Sequence, residues 1–293
     1  MSAHGAVIPP ASPRERLKDR SFRGLLMFCT VAGVGILALL IYDVAADGAG
    51  ELDWNFLTSF PSTFPDRAGI ESPLMGTIWL MAVCAAFIMP VGVATAIYLE
   101  EYADRGRWWN RFIEVNIQNL AAVPSIVYGI LGLAFLVRGP LELGRVVLAG
   151  GLTLGLLVLP VVIIAAREAI RAVPPSIREG SMALGATQWQ TIRRQVLPAA
   201  IPGIATGVIL ALSRAIGETA PLILVGAASF VAFNPDSLGS GYTALPLQIF
   251  EWISRPQPEF KLLAAAGILV LLMLLLSMNA VAIWLRNRYE QRW

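Results

Sequence analysis

Six apolar runs decide what this chain can fold into. They fall at about 24–42, 73–99, 117–137, 146–166, 203–230 and 262–285. Each is near or above the ~20 residues that a helix needs to cross hydrocarbon. Lipid offers no partner to backbone N–H and C=O groups, so an open chain satisfies them only as helix. Composition agrees: 56% of the 293 residues are hydrophobic and 14% are charged, against roughly 25% charged in a soluble domain. The expected fold is all-α, a polytopic integral membrane protein with six transmembrane helices.

Lysine and arginine set the orientation. With the N-terminus inside, the inner segments hold sixteen cations, among them Arg14, Arg16, Lys18, Arg20 and Arg23, then Arg167, Arg171, Arg178, Arg193 and Arg194. The outer segments hold five: Arg67, Arg138, Arg145, Arg255 and Lys261. Both termini are therefore expected in the cytoplasm. The division is a disordered tail (1–23), a first span with its external loop (24–72), a core of five spans (73–285) and a short tail (286–293). The run 24–42 is too long for the apolar part of a signal peptide, so the first span is expected to be retained. The external loops, about 43–72 and 231–261, carry Trp54 and Trp252. These read either as interfacial aromatics or as part of a docking surface for an external partner.

Several chemistries are excluded. A net charge of +2 gives no case for nucleic acid. Cys29 and Cys84 both fall inside apolar runs and form no framework or metal spacing, and the single histidine, His4, sits in the N-terminal tail. Lys18 and Lys261 are the only lysines, and neither stands in G-x-x-x-x-G-K-[ST], so no phosphate-cradling loop is present. No cofactor or metal site of this chain's own is expected.

Between the fourth and fifth runs lies a polar stretch, EGSMALGATQWQTIRRQVLP, from Glu179 to Pro198. Within the loop 167–202, Pro174 and Pro175 close the preceding helix, and Pro198 and Pro202 frame the entry to the fifth span. Met182, Leu184 and Ala186 flank a turn allowed by Gly185, and Trp189, Ile192 and Val196 form a second helical stripe. The pattern is helix, glycine turn, helix. It suits an amphipathic helix lying on the membrane, and it equally suits a helix pair gripped by a peripheral subunit. At the end of the second run, Glu100, Glu101 and Asp104 read as a solvated rim.

Arg214 and Glu218 are the charges inside an apolar run. At i and i+4 they are expected to share one face of the fifth helix, about 18 and 24 Å from Pro202 at 1.5 Å per residue. Charges at that depth face a bundle interior or a water path. Two readings stand. The pair neutralises itself and holds helices together, or Arg214 offers its guanidinium fork to an oxyanion while Glu218 accepts a hydrogen bond from a protonated oxygen.

The polar stretch resembles the cytoplasmic loop of ABC importer permeases, whose pattern is E-A-A, three residues, G, nine residues, then I-x-L-P. Glu179, Gly185, Leu197 and Pro198 match at the right spacing; Gly180 and Ser181 replace the alanines and Gln195 replaces the isoleucine. GTIWLMAVCAAFIMPVGVATAIYLEEY (76–102), LAAVPSIVYGILGLAFLV (120–137) and LSRAIGETAPLILVGA (212–227) narrow the resemblance to the PstA-type permeases of phosphate-specific importers. The resemblance implies a multi-pass permease of the bacterial cytoplasmic membrane that moves inorganic phosphate by alternating access. It also implies three kinds of partner: a second, homologous permease, a dimer of ABC ATPase subunits, and an extracytoplasmic phosphate-binding protein. Glu179, Leu184, Gly185, Trp189, Leu197 and Pro198 would couple to the ATPase. Arg214 and Glu218 would lie on the substrate path. The chain would not itself be an enzyme. The other readings are a permease for molybdate or sulfate, and an ion-coupled carrier with Glu218 as the proton site.

Overall fold

The computed structural model describes residues 13–104, 106–227 and 230–289, and every regular element among them is helical. In chain order they are α1 (Pro13–Gly48), α2 (Trp54–Thr58), α3 (Glu71–Ile97), α4 (Trp108–Ala121), α5 (Ser125–Leu131) and α6 (Val147–Arg171). They continue as α7 (Pro175–Ala183), α8 (Gln188–Thr191), α9 (Leu197–Ala215), α10 (Ala220–Val225), α11 (Leu245–Ile253) and α12 (Pro258–Tyr289). Wide turns with i→i+5 bonds extend α3 through Tyr98–Tyr102 and α5 through Gly132–Val137, and a third, Ile192–Val196, joins α8 to α9.

Among the described residues, five segments are long and apolar enough to cross a membrane: Arg14–Glu51, Glu71–Tyr102, Val147–Arg171, Gln188–Ala215 and Pro258–Arg288. A further apolar stretch, 108–137, is sharply bent. α5 turns 109° away from the direction of α4, because Pro124 has no N–H to give and holds the residue before it out of the helical region. Their contacts follow α6 along its length: Glu114 reaches Arg167 at one end, and Gly132 lies against Thr153 near the other. The third apolar run is therefore bent, as its Pro124 indicates, but its helix starts at Trp108, nine residues before the expected boundary.

α6 is the hub. In its most apolar stretch 67% of residues are buried, against none in α1, which stands at the edge beside α12. Between apolar helices in lipid, the close fit of small residues holds neighbours together. On α9, a Cβ at Gly203 would come within 2.6 Å of Ala169 Cβ, and one at Gly207 would meet Ala165 Cβ still more closely. The two helices are antiparallel, and this register places Arg214 level with Val158. That level is about 17 Å from the Val147 end of α6 and about 20 Å from the Arg171 end.

Three sequence expectations change. The N-terminal segment is helical from Pro13 rather than disordered to residue 23; residues 1–12 lie outside the described residues, as do Arg105, residues 228–229 and the last four residues of the tail. The fourth run continues as helix to Arg171, so Arg167 is a buried helix residue and not a loop cation. The fifth run, 203–230, is not one continuous helix. Its helix is entered from α8, runs unbroken from Gln188 through Pro198 and Pro202, and stops at Ala215. Pro198 and Pro202 thus lie within the helix and do not frame its entry. Gly217, a weak helix former just past Ala215, and Pro221, which has no N–H for the Gly217 carbonyl, both favour the stop; proline alone does not end the helix, which passes through Pro202.

At the end away from α7, the segments between spans fold onto one another. Phe56, Ile70, Leu245, Trp252 and Phe260 form a second apolar core. Asp53 caps α2 by accepting from Phe56 N–H at 2.6 Å, and Thr77 Oγ1 accepts from Leu245 N–H at 2.9 Å. Trp252 is fully buried in this core and is not an interfacial residue, whereas Trp54 is exposed.

Candidate functional site

Two breaks interrupt the helices that pack on α6. Residues 216–219 separate α9 from α10, and residues 122–124 separate α4 from α5. The elements beyond them pack together: a Cβ at Gly129 of α5 would fall 2.7 Å from Pro221 Cα. Irregular backbone at this depth is tolerated where protein buries it or where it lines a cavity.

Arg214 closes α9 at this junction, and Glu218 lies beyond the helix end. The expected shared helical face is therefore replaced by a contact across the break. Arg214 Nε stands 3.4 Å from Glu218 Oε1, longer than a good N–H···O bond. Among the described residues, the two terminal guanidinium nitrogens have no protein acceptor. The Arg214 side chain is 46% exposed and that of Glu218 is 19% exposed. A guanidinium facing lipid at mid-depth costs about 3 kcal/mol or more. Ser213 is fixed by a 2.7 Å hydrogen bond to Asn279 of α12, which steadies the turn carrying Arg214.

The polar loop forms the helix pair that its sequence indicates. α7 ends at Ala183, Gly185 adopts φ +86°, and Thr187 caps α8 in a reciprocal pair with Gln190. Leu184 is 91% exposed, and Met182, Trp189 and Glu179 are also exposed. A groove of about 450 Å³ runs beside them, lined by Ile177, Gly180, Leu184, Ala186, Gln190 and Arg194. Leu197 and Pro198 are half-buried and part of the helix that enters the bundle, with Leu197 packed on the main core. They anchor the loop and do not line its exposed surface.

The sequence reading missed the ion pairs beneath this loop. Glu100 and Glu101 sit in the wide turn after α3, with side chains only 5% and 9% exposed. Glu100 receives Arg171 through Nε at 3.1 Å and a terminal nitrogen at 3.0 Å, and Arg167 stands 3.6 Å away. Glu101 receives Arg178 of α7 at 2.8 and 3.1 Å. The available signal was the i, i+4 spacing of Arg167 and Arg171 at the end of one apolar run, with two carboxylates at the end of another.

Residues 88–293 match the family described as the binding-protein-dependent transport system inner membrane component. The chain belongs to this family. It is a multi-pass inner-membrane transport component and not an enzyme. The matched region takes in both helix breaks and the whole polar loop, and it leaves α1 outside. The permease is 30% identical over 287 residues to a probable ABC transporter permease, YqgI, of Bacillus subtilis, covering 92% of this chain and 95% of the relative. It is 33% identical over 290 residues to the phosphate transport system permease protein PstA 1 of Mycobacterium tuberculosis, covering 96% and 92%. Among solved structures, a bacterial alginate ABC transporter in complex with its periplasmic protein shares the fold with a TM-score of 0.67. The identity there is 17%, over 94% of this chain and 99% of that one.

Proposed function

We propose that this permease is one membrane subunit of an ATP-driven importer of inorganic phosphate, working by alternating access. The observation that carries the reading is Arg214: a guanidinium midway along the bundle, where α9 breaks, with no acceptor for either terminal nitrogen among the described residues. Such a fork suits two oxygens of one oxyanion. Glu218 beside it accepts a hydrogen bond from a protonated phosphate oxygen. Sulfate has no such proton and meets an unpaired carboxylate, which disfavours it. Relatives named as phosphate transport permeases support the same substrate.

The polar loop faces the cytoplasm in this reading, and both termini lie on that side. Glu179, Leu184, Gly185 and Trp189 present the surface for an ATPase dimer, which holds the ATP and magnesium. A second, homologous permease completes the path around Arg214, and an extracytoplasmic phosphate-binding protein delivers the substrate to the opposite end. The test is uptake of labelled phosphate and labelled sulfate by proteoliposomes holding the full complex, with ATP supplied on the ATPase side and the binding protein on the other. ATP-dependent phosphate uptake is expected, with sulfate excluded. Uptake that follows a proton gradient without ATP would refute the reading. Glu218→Gln is expected to weaken the preference for phosphate over sulfate; an unchanged preference assigns selection to the binding protein.

A further inference from the structure

α7 buries none of its residues, so packing alone does not fasten it to the bundle. Its strongest polar attachment is Arg178. Besides its bonds to the Glu101 carboxylate, the guanidinium donates to the carbonyls of Val173 at 2.6 Å and Ile170 at 2.8 Å. These carbonyls belong to the end of α6 and the turn after it, so one side chain joins α7 to the ends of both α3 and α6. On the other side of Gly185, Gln188 of α8 donates to the Glu101 backbone carbonyl at 2.6 Å. Glu100 binds the neighbouring arginines of α6 and so holds the two long helices to each other.

We propose that the Glu101–Arg178 pair is the link that passes displacement of α7 to α3 and α6, and through them to the junction at Arg214. The inference rests on the permease reading above and adds two positioning residues to it. The geometry supports a rigid link: the pair is largely buried, made through two guanidinium nitrogens, and backed by two backbone carbonyls. Such charge-assisted bonds are strong and directional, whereas a lone exposed ion pair contributes little.

The test uses the complete complex, with Gly217→Cys placed in the exposed break and Cys29 and Cys84 replaced by alanine. Among the described residues, a Cβ at Gly217 meets only the Arg214 carbonyl oxygen, at 3.9 Å, so the site accepts the thiol. The readout is the change in thiol reactivity on adding ATP. Glu101→Gln and Arg178→Met are each expected to reduce that change about tenfold while ATP hydrolysis and assembly persist. The double variant should lose no more than either single one, as expected for two members of one link, and Arg178→Lys should recover part of the response. A full ATP-driven change in both single variants overturns the proposal. So does loss of assembly in Arg178→Lys as well as in Glu101→Gln, which would make the pair purely structural. A parent complex that hydrolyses ATP with no change at Gly217→Cys also overturns it, because no displacement then reaches the junction. An ATP-driven change in the parent complex without phosphate uptake refutes the substrate reading alone, because this readout does not depend on the solute.

Discussion

Arg214→Lys separates the two roles open to Arg214. Lysine keeps the charge but offers a single nitrogen and no planar fork. If the terminal nitrogens of Arg214 hold two oxygens of the substrate, the change removes about one charge-assisted hydrogen bond, worth roughly 1.5–3 kcal/mol. At about 1.4 kcal/mol per factor of ten, that is about a 10- to 150-fold loss. The assay is the initial rate of phosphate uptake by proteoliposomes containing the full complex, with ATP hydrolysis followed in parallel. Uptake is expected to fall by this factor while the complex assembles and hydrolyses ATP. If Arg214 serves only to neutralise Glu218, lysine preserves that role, because the present contact is a single one at 3.4 Å. An uptake rate within about threefold of wild type, less than 1 kcal/mol on that scale, would refute the reasoning.

Leu184→Asp alters a side chain that is 91% exposed, so the chain's own stability should change by less than about 0.5 kcal/mol, while co-purification of the ATPase is lost; retained co-purification places the docking surface elsewhere. Gly185→Ala meets open space, but its φ of +86° should cost about 1 kcal/mol, read as a lower unfolding temperature of the detergent-solubilised complex. Glu100→Gln removes a buried carboxylate from Arg167 and Arg171 and should destabilise the protein by about 3 kcal/mol; an unchanged unfolding temperature contradicts this. Gly76→Ala would drive a Cβ into the Thr243 carbonyl oxygen. The overlap is with backbone, so a loss of about 1–3 kcal/mol is expected in the same unfolding measurement.

The sequence by itself determined the class of fold and the position of the polar loop. Hydropathy is a local sum over side chains entering lipid, so the runs at 73–99, 146–166 and 262–285 coincide with long helices. The turn at Gly185 was also legible, because a glycine between two apolar stripes acts within a few residues. Tertiary structure decided the rest. The end of α9 at Ala215 lies inside a run that hydropathy scores as continuous, and Pro221 alone does not set it, since the same helix passes through Pro198 and Pro202. That α10 beyond this break packs on α5 beyond Pro124 depends on how these elements fold against α6, and no spacing within one run encodes it. Glu100 and Glu101 read as a solvated rim because each is a carboxylate at a helix end; packing brings Arg167, Arg171 and Arg178 to them from elsewhere in the chain and buries them. Whether a charge is solvated or held in a buried pair is a property of its neighbours in space, and those only the folded chain supplies.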